Sequence, residues 1–247
     1  LDVPAVLERA ELVLLAVPDD ELPGLVQGLA DAQLWQAGQL VVHTAGRWGT
    51  GVLDPARRLG AIPLAVHPAM TFTGLSLDLA RLNDCSFGIT APGPVLPIAQ
   101  ALVVEMGAEP VVVAEADRPL YHAALAHGAN HLMTVAGQSM QVLRDIGVEH
   151  PDRMLGPLLR AALDNALASG ESALTGPVAR GDAGTVAAHR GALDEYAHGH
   201  RGDDVLLAYL DLARVTARRA LDRGLLDRPR YDAVLAALDL TDGKDTP

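Results

Sequence analysis

Among its 247 residues the chain has a single cysteine, Cys85, and a single lysine, Lys244, and aromatic side chains make up only 3%. One cysteine cannot close an internal disulfide, and no ligand set surrounds it at metal-binding spacing, so neither a disulfide staple nor a metal site is expected. A reducing, cytoplasmic setting suits it. Few aromatics leave few platforms for stacked bases, and a formal charge of −12 repels phosphate backbones, so nucleic acid is not an expected partner. The most apolar run, Leu12 to Val17, is far shorter than the ~20 residues that cross a bilayer, and no membrane association is expected.

What is present is an ordinary globular mixture, 49% apolar and 20% charged, with a core that Ala, Leu and Val must fill. Short apolar runs at Glu11–Val17, Gln39–His43, Ile62–Val66, Cys85–Thr90 and Pro110–Val113 alternate with helical stretches. Runs of this kind suit a sheet buried on both faces, and the expected fold is α/β with a parallel or mixed sheet. Asp19 is placed to cap a helix from about residue 20 to 30, and another runs from near Pro94 to Met106, where Gly107 stops it. From about Asp117 onward only helical periodicity remains, broken at 147–151, 169–182, 199–203 and 224–229, which predicts five helices. The expected division is residues 1–116 as an incomplete Rossmann-type sheet, 117–240 as a helical domain, and 241–247 as a frayed tail.

A dinucleotide-binding sheet normally opens on a GxGxxG turn whose amides receive the pyrophosphate. The only comparable cluster, Gly46-Arg-Trp-Gly49-Thr-Gly51, has the spacing GxxGxG and reads as a plain turn.

Four segments, Val41-Val-His-Thr-Ala-Gly46, Val66-His67-Pro68, Tyr121-His-Ala-Ala-Leu-Ala-His127-Gly-Ala-Asn130 and Ala173-Leu-Thr-Gly-Pro-Val-Ala-Arg-Gly-Asp182, together resemble one family. It is the group of Rossmann-like proteins whose C-terminal helical domain is the domain of unknown function 2520, related to ketopantoate reductase, pyrroline-5-carboxylate reductase and the β-hydroxyacid dehydrogenases. The resemblance covers essentially the whole chain and implies an all-α domain like that of 6-phosphogluconate dehydrogenase. Relatives of this kind begin some sixty residues earlier, with the glycine-rich turn, so the sequence is expected to lack that segment, which puts unaided dinucleotide binding in question.

The resemblance implies NADP or NAD as cofactor, bound along the strand ends at Val17, Pro18, Thr44, Gly46 and His67. Asp19 is open to either a ligand-side role or helix capping, Gly46 to close ligand approach or a turn, and His67 to catalysis or structural hydrogen bonding. Dehydrogenases of the β-hydroxyacid group carry Lys-x-x-Asn at the start of their helical domain; His127 and Asn130 stand there, three residues apart on one predicted helix. With Lys244 in the tail, His127 is the first candidate for general acid and Asn130 for substrate orientation, the alternatives being a structural histidine and an asparagine that cross-links helices. Tyr121 and His122 lie on the same helix; Tyr121 is open either to substrate binding in the same cleft or to packing alone. In the Thr175–Asp182 segment a rigid loop is expected, with Asp182 capping a helix over about 183–198. There Thr175 and Arg180 either receive a substrate carboxylate or cofactor phosphate, or Arg180 pairs with an acidic neighbour. His189 is expected to be merely exposed.

The function implied is hydride transfer between NADP or NAD and a small oxo or imino acid, at a cleft between domains, in a homodimer held by a long helix over about 117–146. The competing reading is a non-catalytic dimeric binding or scaffold protein that keeps only the old cleft.

Overall fold

A computed structural model describes residues 2–199 and 202–239; the expected tail at 241–247 and Lys244 lie outside them. The chain divides into two compact units, residues 1–132 and the remainder from Met133.

The first unit is a five-stranded sheet in the order β1 (Leu12–Leu15), β2 (Leu40–His43), β3 (Ile62–Pro68), β4 (Ser86–Thr90), β5 (Glu109–Val112). β1, β2 and β3 run parallel, β4 is antiparallel to β3, and β5 is parallel to β4, so the sheet is mixed. Leu15 pairs with His43 and His43 with Ala65, which brings the carboxyl ends of the first two strands to one edge, beside the end of β3.

The adjacent residues Val41 and Val42 point to opposite faces, as alternation in a strand requires, and each belongs to a different core. Val41 joins Leu15, Leu22, Val26 and Trp35 under α1 (Val3–Arg9), α2 (Leu22–Asp31) and α3 (Asp54–Arg58). Val42 joins Leu64, Val66, Phe87, Ile89 and Val103 under α5 (Leu96–Glu105); a short α4 (Leu77–Leu82) lies between β3 and β4. Leu64 and Ile89 are fully buried, and truncating either to alanine costs about 2–5 kcal/mol.

α2 begins two residues later than expected, and Asp19 does not cap it. The cap position is Glu21 and makes no side-chain bond. The carbonyl of Pro18 accepts from the Glu21 and Leu22 amides instead, and the Asp19 carboxylate lies 3.8 Å from Arg47.

α6 (Arg118–Asp145) starts in the first unit and ends in the second. The second unit continues with α7 (Pro151–Ser169), α8 (Pro177–Arg180), α9 (Ala183–Gly199), α10 (Asp203–Asp222) and α11 (Arg228–Asp239). Five long helices therefore follow the sheet among the described residues, and α8 is a single turn where only a loop was expected. Gly176 and Gly181, with φ of 98° and 74°, bracket that turn in a backbone region closed to most side chains. The core of this unit is alanine-rich, with Ala213, Ala217 and Ala237 letting α9, α10 and α11 approach closely around Val186 and Val234. No helix among the described residues is long and apolar enough to cross a membrane.

Candidate functional site

The turn that follows β2 is shaped by His43, which is fully buried. Its Nε2 lies 2.8 Å from the Gly49 carbonyl, and its Nδ1 accepts from the Ala45 amide at 3.2 Å. A ring that accepts at Nδ1 and faces a carbonyl at Nε2 is the neutral Nε2–H tautomer. Burial pushes the His43 pKa down to about 4, in keeping with that assignment. The Trp48 indole donates to the Asp19 carbonyl at 3.0 Å, tying this turn to the end of β1.

The GxxGxG cluster is filled by the chain itself. The Glu115 carboxylate accepts from the Thr50 amide at 2.7 Å, the Thr50 hydroxyl at 3.0 Å and the Gly51 amide at 3.0 Å. A Cβ at Gly49 would overlap that carboxylate. The cluster is thus a turn that holds an internal anion.

Three residues further into the site, Gly46 meets two histidines. A Cβ there would overlap the His122 ring and stand 2.9 Å from His67 Nε2, so glycine is what allows the close approach. The His67 and His122 rings meet edge to face with centroids 5.8 Å apart. His67 Nδ1 is 2.9 Å from the Tyr121 hydroxyl oxygen, which sits where a side chain on Gly88 would otherwise be. Burial foremost, then the His122 and Arg118 charges, push the His67 pKa down to about 4. Burial pushes the Tyr121 phenol up, while Arg118 and the Gly88 amide pull it down.

Beneath these rings Arg118 is fully buried. Its Nε donates to Thr90 Oγ1 at 2.8 Å, and Nη2 donates to the Ala65 and Gly88 carbonyls at 3.0 and 2.9 Å. Nη1 is buried with no hydrogen-bond partner.

A cleft of about 240 Å³ opens beside this group, lined by His67, Thr71, His122, Ala126 and Asn130 among others. The sequence-predicted residues Gly46, His67, Tyr121 and Asn130 therefore gather at or beside one cleft. Val17, Pro18 and Thr44 lie on the same strand edge, beyond the ends of β1 and β2. His127 is exposed and outside the cleft lining; its Nδ1 is 2.8 Å from that of His131, one turn along α6. This His-x-x-x-His spacing is legible in the sequence, yet among the described residues no group of three or more candidate ligands gathers for a metal. In the second unit Arg180 and Thr175 are exposed and 3.4 Å apart. Asp182 caps α9 as expected, through the Thr185 amide and hydroxyl. His189 is exposed and 3.0 Å from the Tyr209 hydroxyl. Arg118 was not anticipated, because nothing local marks an arginine whose partners lie on β3 and β4.

The sheet, with glycine and small residues at its carboxyl edge and helices after it, defines a Rossmann-like protein with a helical C-terminal region. Residues 1–68 match the Rossmann-like domain, and residues 85–216, more than half of the chain, match the Domain of unknown function (DUF2520). The chain belongs to that DUF2520 family. No curated protein matches it.

Solved structures share the fold. A Bacteroides fragilis protein, provisionally described as an NADP oxidoreductase, superposes with a TM-score of 0.68 at 20% identity, over 85% of this chain and 76% of that one. A Thermotoga maritima protein gives 0.63 at 23% identity, over 83% and 78%. An imine reductase from Myxococcus stipitatus in complex with NADP⁺ gives 0.57 at 15% identity, over 96% and 82%.

Proposed function

We propose that this protein is an NAD(P)-dependent oxidoreductase that reduces a small oxo or imino acid by hydride transfer. The observation that carries the reading is the cleft beside Gly46, where His67, His122 and Asn130 converge near the carboxyl edge of a parallel strand group. That edge is where open α/β sheets take their ligands. The neighbours named as an imine reductase and, provisionally, an NADP oxidoreductase support it at the level of fold.

The residues present fit one end of a nicotinamide cofactor. Gly46 lets the His67 and His122 rings close on the backbone and form a flat wall of the cleft against which a planar group could lie, and Val17, Pro18 and Thr44 extend the same edge. The amides of Thr50 and Gly51 do not fit the pyrophosphate, because Glu115 already holds them. When bound, such a cofactor would supply or accept the hydride. Asn130 would orient the substrate and Arg180 with Thr175 would take a carboxylate or phosphate; His127, which the Lys-x-x-Asn resemblance selects as donor, is exposed and outside the cleft lining.

The protein is further proposed to act as a homodimer. On α7 only Pro151 is buried, and Met154, Leu158 and Leu167 are exposed, as are Met133 in the middle of α6 and Ile146 just past its end. Apolar surface of this extent on two helices fits a second copy. The non-catalytic dimer remains the second reading, favoured by the engagement of the glycine cluster with Glu115.

Calorimetric titration with NADPH and NADH, followed by a screen of oxo and imino acids, tests the assignment. Micromolar binding with turnover supports the reductase. No binding of either cofactor, by this chain or by any longer form of it, rejects it and leaves the dimeric binding protein.

A further inference from the structure

Arg118 poses a physical question. A guanidinium with no exposed surface, held by three neutral oxygens and with Nη1 unpartnered, is costly to desolvate, and arginine cannot shed its proton to escape the cost. Its Cζ lies 5.6 Å from the centre of the Tyr121 ring. Tyr121 in turn touches His67 Nδ1 at 2.9 Å, and the opposite nitrogen of that imidazole, Nε2, lies beside Gly46 and the His122 ring, where His67 lines the cleft. Charge, phenol and imidazole therefore form one continuous line ending at the cleft.

We propose that His67 is the proton donor of the hydride-transfer reaction, acting as a neutral imidazole, with Tyr121 replacing the proton it gives up and Arg118 stabilising the tyrosinate left behind. The inference rests on the reductase reading above. As hydride from a reduced nicotinamide adds to the substrate carbon, the C=O or C=N π pair moves onto oxygen or nitrogen. That atom takes the proton from His67 Nε2, while Nδ1 takes the proton of the Tyr121 hydroxyl. One hydride and one proton are added, the imidazole ends neutral in its other tautomer, and the phenolate is reprotonated from solvent. His67 touches the substrate and is the catalytic residue; Tyr121 and Arg118 act through it and are positioning residues.

The arrangement suits a neutral donor better than an imidazolium. Next to a permanent cation, and edge to face with His122, a charged His67 is disfavoured, and its pKa of about 4 leaves it uncharged at neutral pH. A neutral imidazole can donate from Nε2 only if Nδ1 accepts, which the Tyr121 hydroxyl provides. Burial holds the phenol above its ordinary range, and the positive charge of Arg118 together with the Gly88 amide offsets part of that cost for the anion the relay must form.

Nitrogen-15 NMR of the intact protein, without cofactor or substrate, reads the tautomer of His67. The Nε2–H form is expected across about pH 6 to 9, a window above the low pKa of this ring. Tyr121→Phe should convert it into a mixture of both forms. A wild-type Nδ1–H form, or a tautomer unmoved by Tyr121→Phe, overturns the relay. Ultraviolet titration of phenolate gives a second arm: Arg118→Met should move the Tyr121 transition to higher pH, and an unmoved transition overturns the role of Arg118. Should that variant fail to fold, the tautomer measurement on the wild-type chain still decides. Neither readout needs turnover, so loss of the relay is separable from loss of the reductase reading, which the cofactor titration tests. With a substrate in hand, Tyr121→Phe should lower kcat by about 10–100-fold with KM little changed.

Discussion

Glu115 closes the turn at Thr50 by accepting three hydrogen bonds, from the Thr50 amide and hydroxyl and from the Gly51 amide. A side chain 65 residues away thereby does for this turn what a bound anion does in a phosphate loop. Glu115→Ala should cost about 1 kcal/mol, near the lower end for bonds to a charged group because the carboxylate is exposed. Gly49→Ala should be destabilising in the wild type and much less so in the Glu115→Ala background, since the added methyl would overlap the carboxylate. Denaturant midpoints of the four proteins in that cycle measure the coupling; strictly additive effects would refute it.

Acid should weaken the fold through His43. Its folded pKa of about 4 lies below the unfolded value of 6.5, so the unfolded chain binds a proton that the folded one resists. The stability is fully present above pH 6.5 and is lost as the pH falls toward 4. The loss should amount to about 3 kcal/mol for this ring alone. Thermal melts across that window should show the decline, and His43→Asn should reduce it without abolishing it, because His67, also lowered to about 4, loses stability over the same range, while stability at neutral pH falls.

Gly46→Ala tests the close approach of the cleft wall. The new methyl would overlap the His122 ring, so that ring must shift. Nicotinamide binding and turnover should fall by about tenfold or more, while the melting temperature drops by only a few degrees. Unchanged titration with NADPH would show that the wall does not touch the ligand.

His127→Ala separates two proton donors. Its ring is exposed and contacts His131, so stability should change by less than about 0.5 kcal/mol. If His67 delivers the proton, kcat should stay within a factor of about two. A fall of about 10²–10⁴ would instead make His127 the acid.

Arg180→Ala bears on the second unit. With one 3.4 Å contact to Thr175, its removal should leave stability unchanged. A rise in KM for a carboxylate substrate with constant kcat would mark it as a binding group; no change in either would leave it an ordinary surface arginine.

The five strands were legible because each is a short apolar run that a two-faced sheet must bury, whereas their order in the sheet and the reversed direction of β4 came only from the structure. Boundaries were less so: Asp19 has the chemistry of a cap but is drawn to Arg47, and the Pro18 carbonyl starts α2 in its place. Within the site, Gly46, His67, Tyr121 and Asn130 could be named because each sits at a strand end or on one helix. The same spacing argument grouped His127 with Asn130, whereas only Asn130 lines the cleft. Arg118 stayed invisible, since its meaning lies in carbonyls 53 and 30 residues earlier, brought together only by the antiparallel turn of β4.

The His43 ring spends both nitrogens on the backbone of its own turn, and that has a consequence for selectivity. A loop pinned at two points cannot yield to an incoming group, so the surface presented at Gly46 has one shape before and after binding. Discrimination at that wall would then favour planar groups over tetrahedral ones by exclusion, and a bulkier ligand would have to be accommodated on the α6 side of the cleft, along Leu125, Ala126 and Ala129.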